Sequence, residues 1–103
     1  MTKYILAYHG GGAPESPEEQ EKVMADWMNW IGGVGEAFVD PGNPVGDNRL
    51  VTPNGVSEYP GDKNLTGYGF VTAESIEAAI EIAKGCPILK DGGSVEVASV
   101  HEM

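Results

Sequence analysis

An α+β fold with an antiparallel sheet and the element order β-α-β-β-α-β follows from three observations. Segments such as KYILAYH and LTGYGFVT are dense in β-branched and aromatic residues, as strands are. Two other segments, each opened by a serine, carry apolar residues at three-and-four spacing, as amphipathic helices do. Strand-like and helix-like segments then alternate, with crossovers long enough to hold a helix. At 103 residues the chain makes a single domain, residues 1–103, with room for one modest core.

Lys3 to His9 forms the first strand and is closed by Gly10, Gly11 and Gly12. Its alternate sets, Tyr4/Leu6/Tyr8 and Ile5/Ala7/His9, are both mainly apolar, which is the pattern of a strand covered on two sides. Helices can cover one face, so the other needs a second cover. Ser16 as N-cap, Pro17 at the first helical position and Glu19 three residues after the serine mark the start of the first helix. Val23, Met24, Trp27, Met28, Trp30, Ile31 and Val34 form its apolar stripe, and Gly32, Gly33 and Gly35 predict its stop.

Glu36 to Asp40 reads as a short strand cut off by Pro41 and Gly42. Residues 41–61 read as a long loop with at most a hairpin arm, because only Arg49 to Thr52 looks extended among many prolines and glycines. Leu65 to Thr72 is the next strand, with Gly67 and Gly69 on one face where another backbone or a ligand can come close. Ser75 caps a second helix whose stripe is Ile76, Ala79, Ile80 and Ala83, ended by Gly85 and Pro87. Val95 to His101 is the last strand. Together these make the split β-α-β pattern of ferredoxin-like folds.

Charge and cysteine content exclude several functions. With 6 basic against 16 acidic side chains the net charge is −10, and the chain lacks the clustered Lys or Arg that nucleic-acid or anionic-membrane binding needs. One cysteine permits no intrachain disulfide, which suits a reducing, cytoplasmic setting. No signal peptide is evident, and the longest apolar run, Tyr4 to Tyr8, falls far short of the ~20 residues of a membrane span.

The segment Gly67 to Val100, GYGFVTAESIEAAIEIAKGCPILKDGGSVEVASV, resembles the YCII-related family, which includes members known by a DGPF motif. The match comprises a glycine-tyrosine strand, a Ser-capped helix, a Cys-Pro stop and a Gly-Gly-x-Val-Glu-Val final strand. KYILAYHG and the tryptophan-bearing helix are similar too, so the resemblance spans nearly the whole chain. Where the DGPF motif would lie, the chain reads VSEYPG, Val56 to Gly61. The resemblance implies a homodimer in the form of a dimeric α+β barrel, two sheets face to face with helices outside. It also implies small-ring substrates, lyase or dehalogenase-like steps, and a His–Asp pair as the active group.

The residues themselves nominate His9 and Asp40 as a catalytic pair. In a ferredoxin-like sheet their strands run in the same direction with one strand between them, so both end on one edge, ~9.5 Å apart. A histidine carries protons near neutral pH and a carboxylate can orient it; the competing reading is an ordinary strand end and a turn former. Tyr8, Trp30 and Tyr68 are candidates for substrate binding, with Trp27 and Phe70 near them and core packing as the alternative. Cys86 reads as buried packing, and His101 as solvated.

Two histidines without ligand spacing predict no metal site, and Gly10 to Gly12 is neither a Walker loop nor a dinucleotide fingerprint, so no cofactor is expected. That glycine run reads as a flexible turn that clears space above His9. Glu15, Glu18, Glu19 and Glu21 favour the helix start through its dipole. The expected function is binding of a small molecule of unidentified structure, with an acid/base lyase or isomerase step at His9 and Asp40. The alternative is a non-catalytic dimeric regulatory or accessory module.

Overall fold

The computed structural model describes residues 1–11, 16–58 and 64–102, so Gly12, Glu15 and the Tyr59–Pro60–Gly61 end of the VSEYPG segment lie outside the described residues. The strands are β1 (Thr2–His9), β2 (Phe38–Asp40), β3 (Arg49–Thr52), β4 (Gly55–Glu58), β5 (Leu65–Ala73) and β6 (Ser94–Ser99), and the helices are α1 (Pro17–Val34) and α2 (Ile76–Ala83). The main sheet has the order β2-β5-β1-β6, every neighbouring pair antiparallel, while β3 and β4 form a separate two-stranded hairpin. This is an α+β architecture with an antiparallel sheet and two helices, compatible with a ferredoxin-like fold. No helix among the described residues is long and apolar enough to cross a membrane.

Both helices start where their serines place them. The Ser16 hydroxyl accepts from the Glu19 N–H at 3.2 Å, and the Ser75 hydroxyl from the Ala78 N–H at 3.2 Å. Helix α1 runs through Gly32 and Gly33 and stops only at Gly35, the one of the three with positive φ, at 68°. Glycine in a helix interior costs stability but does not forbid the conformation, so the stop falls where the chain must turn. A 3-10 turn over Gly35–Ala37 takes the start of the expected Glu36 to Asp40 strand. A second 3-10 turn, Pro87–Asp91, follows α2; the sequence reading had no element there.

The core lies on one face of the sheet. Tyr4, Leu6 and Tyr8 of β1 and Val71 and Ala73 of β5 meet Ala79 and Ala83 of α2, together with Cys86 and Ile88. On α2 it is the two alanines that are buried, while Ile76 and Ile80 are 41% and 39% exposed, so the expected stripe is only half used. Small side chains let the helix sit close to the sheet. Helix α1 has no buried residue; Trp27 and Trp30 reach from it to the core.

Period-two alternation sends Ile5, Ala7 and His9 of β1, and Tyr68, Phe70 and Thr72 of β5, to the opposite face, where neither helix packs. Apart from Tyr4, Leu6 and Tyr8, the residues of β1 are not part of the core cluster.

Candidate functional site

Gly67 and Gly69 have no side chains on the helix face of β5, and that space is used as the sequence suggested. A β-carbon at Gly69 would stand 2.9 Å from Phe38 Cε1 and 3.1 Å from the Tyr8 hydroxyl; one at Gly67 would stand 3.2 Å from Tyr8 Cδ2. The Tyr8 ring therefore lies flat along the strand's bare stretch. Trp27 meets it edge-on at 5.0 Å between centroids and 74° between planes, Trp30 follows at 5.7 Å from Trp27, and Phe38 lies 5.2 Å beyond Trp30. These four rings form a chain of edge-to-face contacts linking α1 to β1 and β2.

Beside this chain a cleft of about 440 Å³ opens between α1, the end of β1 and the segment after β2. Met24, Trp27, Met28 and Ile31 of α1 form one wall, at i, i+3, i+4 and i+7. Tyr8, Gly67 and Ile88 form the floor, and Pro41–Gly42–Asn43–Pro44 the far wall. That far wall is held to the edge of β5. The Tyr68 N–H donates to the Asn43 carbonyl at 3.3 Å, the Val45 N–H to the Thr66 carbonyl at 3.0 Å, and Pro44 bridges Gly67. Asp40 Oδ1 accepts from the Gly42 N–H at 2.9 Å, an Asx turn that sets the wall's direction.

His9 and Asp40 are not brought together. Both strands do run in the same direction on either side of β5, but His9 pairs with Leu65 and Asp40 with Phe70. Those partners are five positions apart on β5, about 16 Å along the strand at ~3.3 Å per residue. The edge-to-edge placement expected from topology fails because β2 is only three residues long and pairs with the middle of β5 rather than its start. Neither residue is among those lining the cleft.

His9 Nε2 instead lies 3.3 Å from Glu96 Oε1, a carboxylate on β6 that sequence reasoning passed over. Glu96 pairs with Ala7 and His9 with Ser94, so the two side chains are diagonal neighbours on the open sheet face. The signal was the alternation SVEVAS, which gives Glu96 a face, but its neighbour depends on the register of β1 against β6. The turn after His9 is also not open space. Gly10 and Gly11 both take positive φ, and a β-carbon at Gly11 would meet Ile88 Cγ1 at 3.1 Å.

The expected substrate-binding set divides. Tyr8 and Tyr68 border the cleft. The Tyr68 ring, however, packs with Phe70 at 6.0 Å, and alternation puts both on the open face, away from the tryptophans. Trp30 is absent from the cleft lining; its indole N–H donates to the Ile82 carbonyl at 3.1 Å, and its ring fits against Gly85, where a β-carbon would stand 3.0 Å away. It anchors α1 to the end of α2.

Burial removes ionisable chemistry from this region. Desolvation, and next to it the neighbouring Cys86, push the Tyr8 phenol well above the usual tyrosine range. Desolvation likewise pushes the Cys86 thiol up to about 11, against a smaller lowering by a hydrogen bond from the Ile88 backbone. A thiol this well buried and this weakly acidic is packing, not a nucleophile. Among the described residues no three His, Cys, Asp or Glu side chains gather as metal ligands do. No protein-family model and no curated protein matches the chain.

Proposed function

We propose that the chain is a small-molecule-binding domain whose ligand sits in the cleft between α1 and the Pro41–Pro44 wall. One observation carries this reading: the cleft is lined by mainly apolar and aromatic side chains and is left unfilled by the described residues. The aromatic floor and the glycines beneath it provide a surface suited to a ring. The separation of His9 from Asp40 speaks against an acid–base pair at this place, so binding rather than turnover is the activity proposed for the cleft. The resemblance of Gly67 to Val100 to YCII-related proteins is compatible with this reading, and we carry it forward as part of the proposal together with a homodimer paired through the open sheet face.

Titration with the neutral dye Nile red tests the cleft. Saturable binding is expected for the wild type, weakened about tenfold or more when Met24→Glu and Met28→Glu put unpartnered charge on the wall. Both methionines are more than half exposed, so the double variant should fold. Absence of binding, or binding unchanged in the double variant, would sink the proposal.

A second reading is favoured by the His9–Glu96 contact: an imidazole oriented by a carboxylate on the open face, enclosed when two copies pair there. Under this reading His9→Asn should lower turnover of an identified substrate about 10²-fold while folding is retained. Unchanged turnover would leave the open face as an interface alone.

A further inference from the structure

We infer that the cleft selects an uncharged planar ring and rejects the same ring carrying either an anionic or a cationic group. The inference rests on the binding reading above and adds the ligand's chemical class.

Charge selection follows from what the walls do not offer. Among the described residues that line the cleft none carries a charged side chain, and the ionisable side chain set into it is the Tyr8 phenol, since the Tyr68 ring lies toward the open face. An anion entering it needs a cation or a set of converging N–H groups. Three backbone N–H groups on this side are already committed, Gly42 to Asp40, Val45 to Thr66 and Tyr68 to Asn43, which among the described residues leaves only isolated neutral donors such as the Asn43 amide and the Trp27 indole. The Thr66 hydroxyl is shared between the carbonyls of Tyr8 and Gly10 at 3.2 Å each. The net charge of −10 adds a repulsive field for anions outside the cleft. A cation is drawn by that field and weakly by the Trp27 ring face, yet inside it finds no carboxylate, because the Asp40 oxygen faces the Gly42 N–H and the residue is not part of the lining. An ion that gives up its water here gains too little in return. The raised ionisation of Tyr8 keeps its floor neutral across the physiological range.

Shape selection follows from the floor. Tyr8 and Trp27 stand at 74° with centroids 5.0 Å apart, so they form a corner of two aromatic surfaces. Tyr8 is itself buried, so a flat ring would stack on or meet edge-on the partly exposed Trp27, the arrangements aromatic pairs prefer, with Tyr8 backing that surface. Gly67 contributes no side chain that would lift the ring off this floor. Met24 and Met28 flank Trp27 on the helix and are 61% and 70% exposed; their unbranched thioethers can close over rings of differing outline.

Three naphthalene derivatives of nearly equal size separate the possibilities by calorimetry on the full chain: 2-naphthalenemethanol, 2-naphthoate and 2-naphthylmethylammonium. The alcohol should bind about tenfold or more tightly than either ion, the scale of a charge left without a partner. Its binding should shift the Trp27 indole N–H resonance, assigned with Trp27→Phe. In Met28→Lys, which places a cation at the exposed rim, the alcohol's advantage over naphthoate should shrink. Equal or tighter wild-type binding of either ion overturns the charge selection while leaving the cleft as a binding site. Binding of none of the three overturns the cleft reading beneath it.

Discussion

At Gly42 the backbone takes φ 72°, and a β-carbon there would fall 1.7 Å from the Tyr68 carbonyl oxygen. Backbone against backbone cannot yield, so Gly42→Ala must move the whole Pro41–Pro44 wall off the edge of β5. The expected cost is on the order of 2–4 kcal/mol in urea unfolding, combining the positive-φ strain with the broken edge contacts. A variant as stable as wild type would show that this segment is not held as described. Cys86 makes a second residue-scale prediction. Its thiol ordinarily ionises near 9.0 and is pushed up to about 11 in the fold, so above pH 9 the unfolded chain loses a proton that the folded chain keeps. Stability from this group is therefore full below pH 9 and is lost as pH rises through about 11. The loss amounts to roughly 2–3 kcal/mol. Tyr8 shifts in the same direction and extends the decline to higher pH. Comparing the alkaline limb of melting curves for wild type and Cys86→Ala checks this; an identical slope in both would refute the assignment to Cys86.

Helix α1 shows how an element can be well marked at its ends and loosely held along its length. Its start is set by Ser16 as N-cap and Pro17 at the first helical position, yet no residue of the helix is buried, and it meets the core through two indoles. Gly32 and Gly33 lie inside it with nothing within 4 Å of where a β-carbon would be. Alanine at either position should then stabilise the protein by ~0.5–1 kcal/mol, the helix-propensity difference, since neither has the positive φ that glycine alone tolerates well. A loss of stability in Gly33→Ala would mean that the helix end is not helical in solution. The β3–β4 hairpin contrasts with α1. Its Val51 and Val56 stand opposite each other and are 73% and 68% exposed. What ties its base down is Asn48, whose amide donates to the Leu65 carbonyl at 2.8 Å and whose side-chain oxygen accepts from Asn64 at 3.0 Å.

Over the whole molecule the two sheet faces differ in cover and in charge. One carries both helices. The other carries Ile5, Ala7, Tyr68, Phe70 and Ala98, with Lys3 above the Phe70 ring at 5.4 Å and Glu96 beside His9. Most of the chain's acidic residues lie in the helices and connecting segments, so two open faces can approach without bringing the net charge of −10 between them. These apolar side chains are half-buried without a helix over them, which supports the proposed homodimer, since a partner's sheet would complete their cover. Sedimentation should give twice 10.9 kDa at micromolar concentration for wild type, and Phe70→Glu should give the monomer. A wild-type monomer would remove the dimer from the proposal and leave the cleft untouched.

What the residues declare locally is what the sequence determined: strand segments, the serine caps of both helices and the glycine face at Gly67 and Gly69. These depend on neighbours a few positions away, through backbone propensity, capping and alternation. Register is not of that kind. Whether Asp40 meets Leu65 or Phe70 depends on how far the chain slides along β5 before Pro41–Pro44 locks against it, and a few positions' difference offset Asp40 from His9 by about 16 Å along the strand direction. The His9–Glu96 contact, the division of the aromatics between two faces and the cleft itself all follow from such pairings between distant segments. Only the tertiary structure decides them, because side-chain pattern gives each strand a face but not the position of its partner.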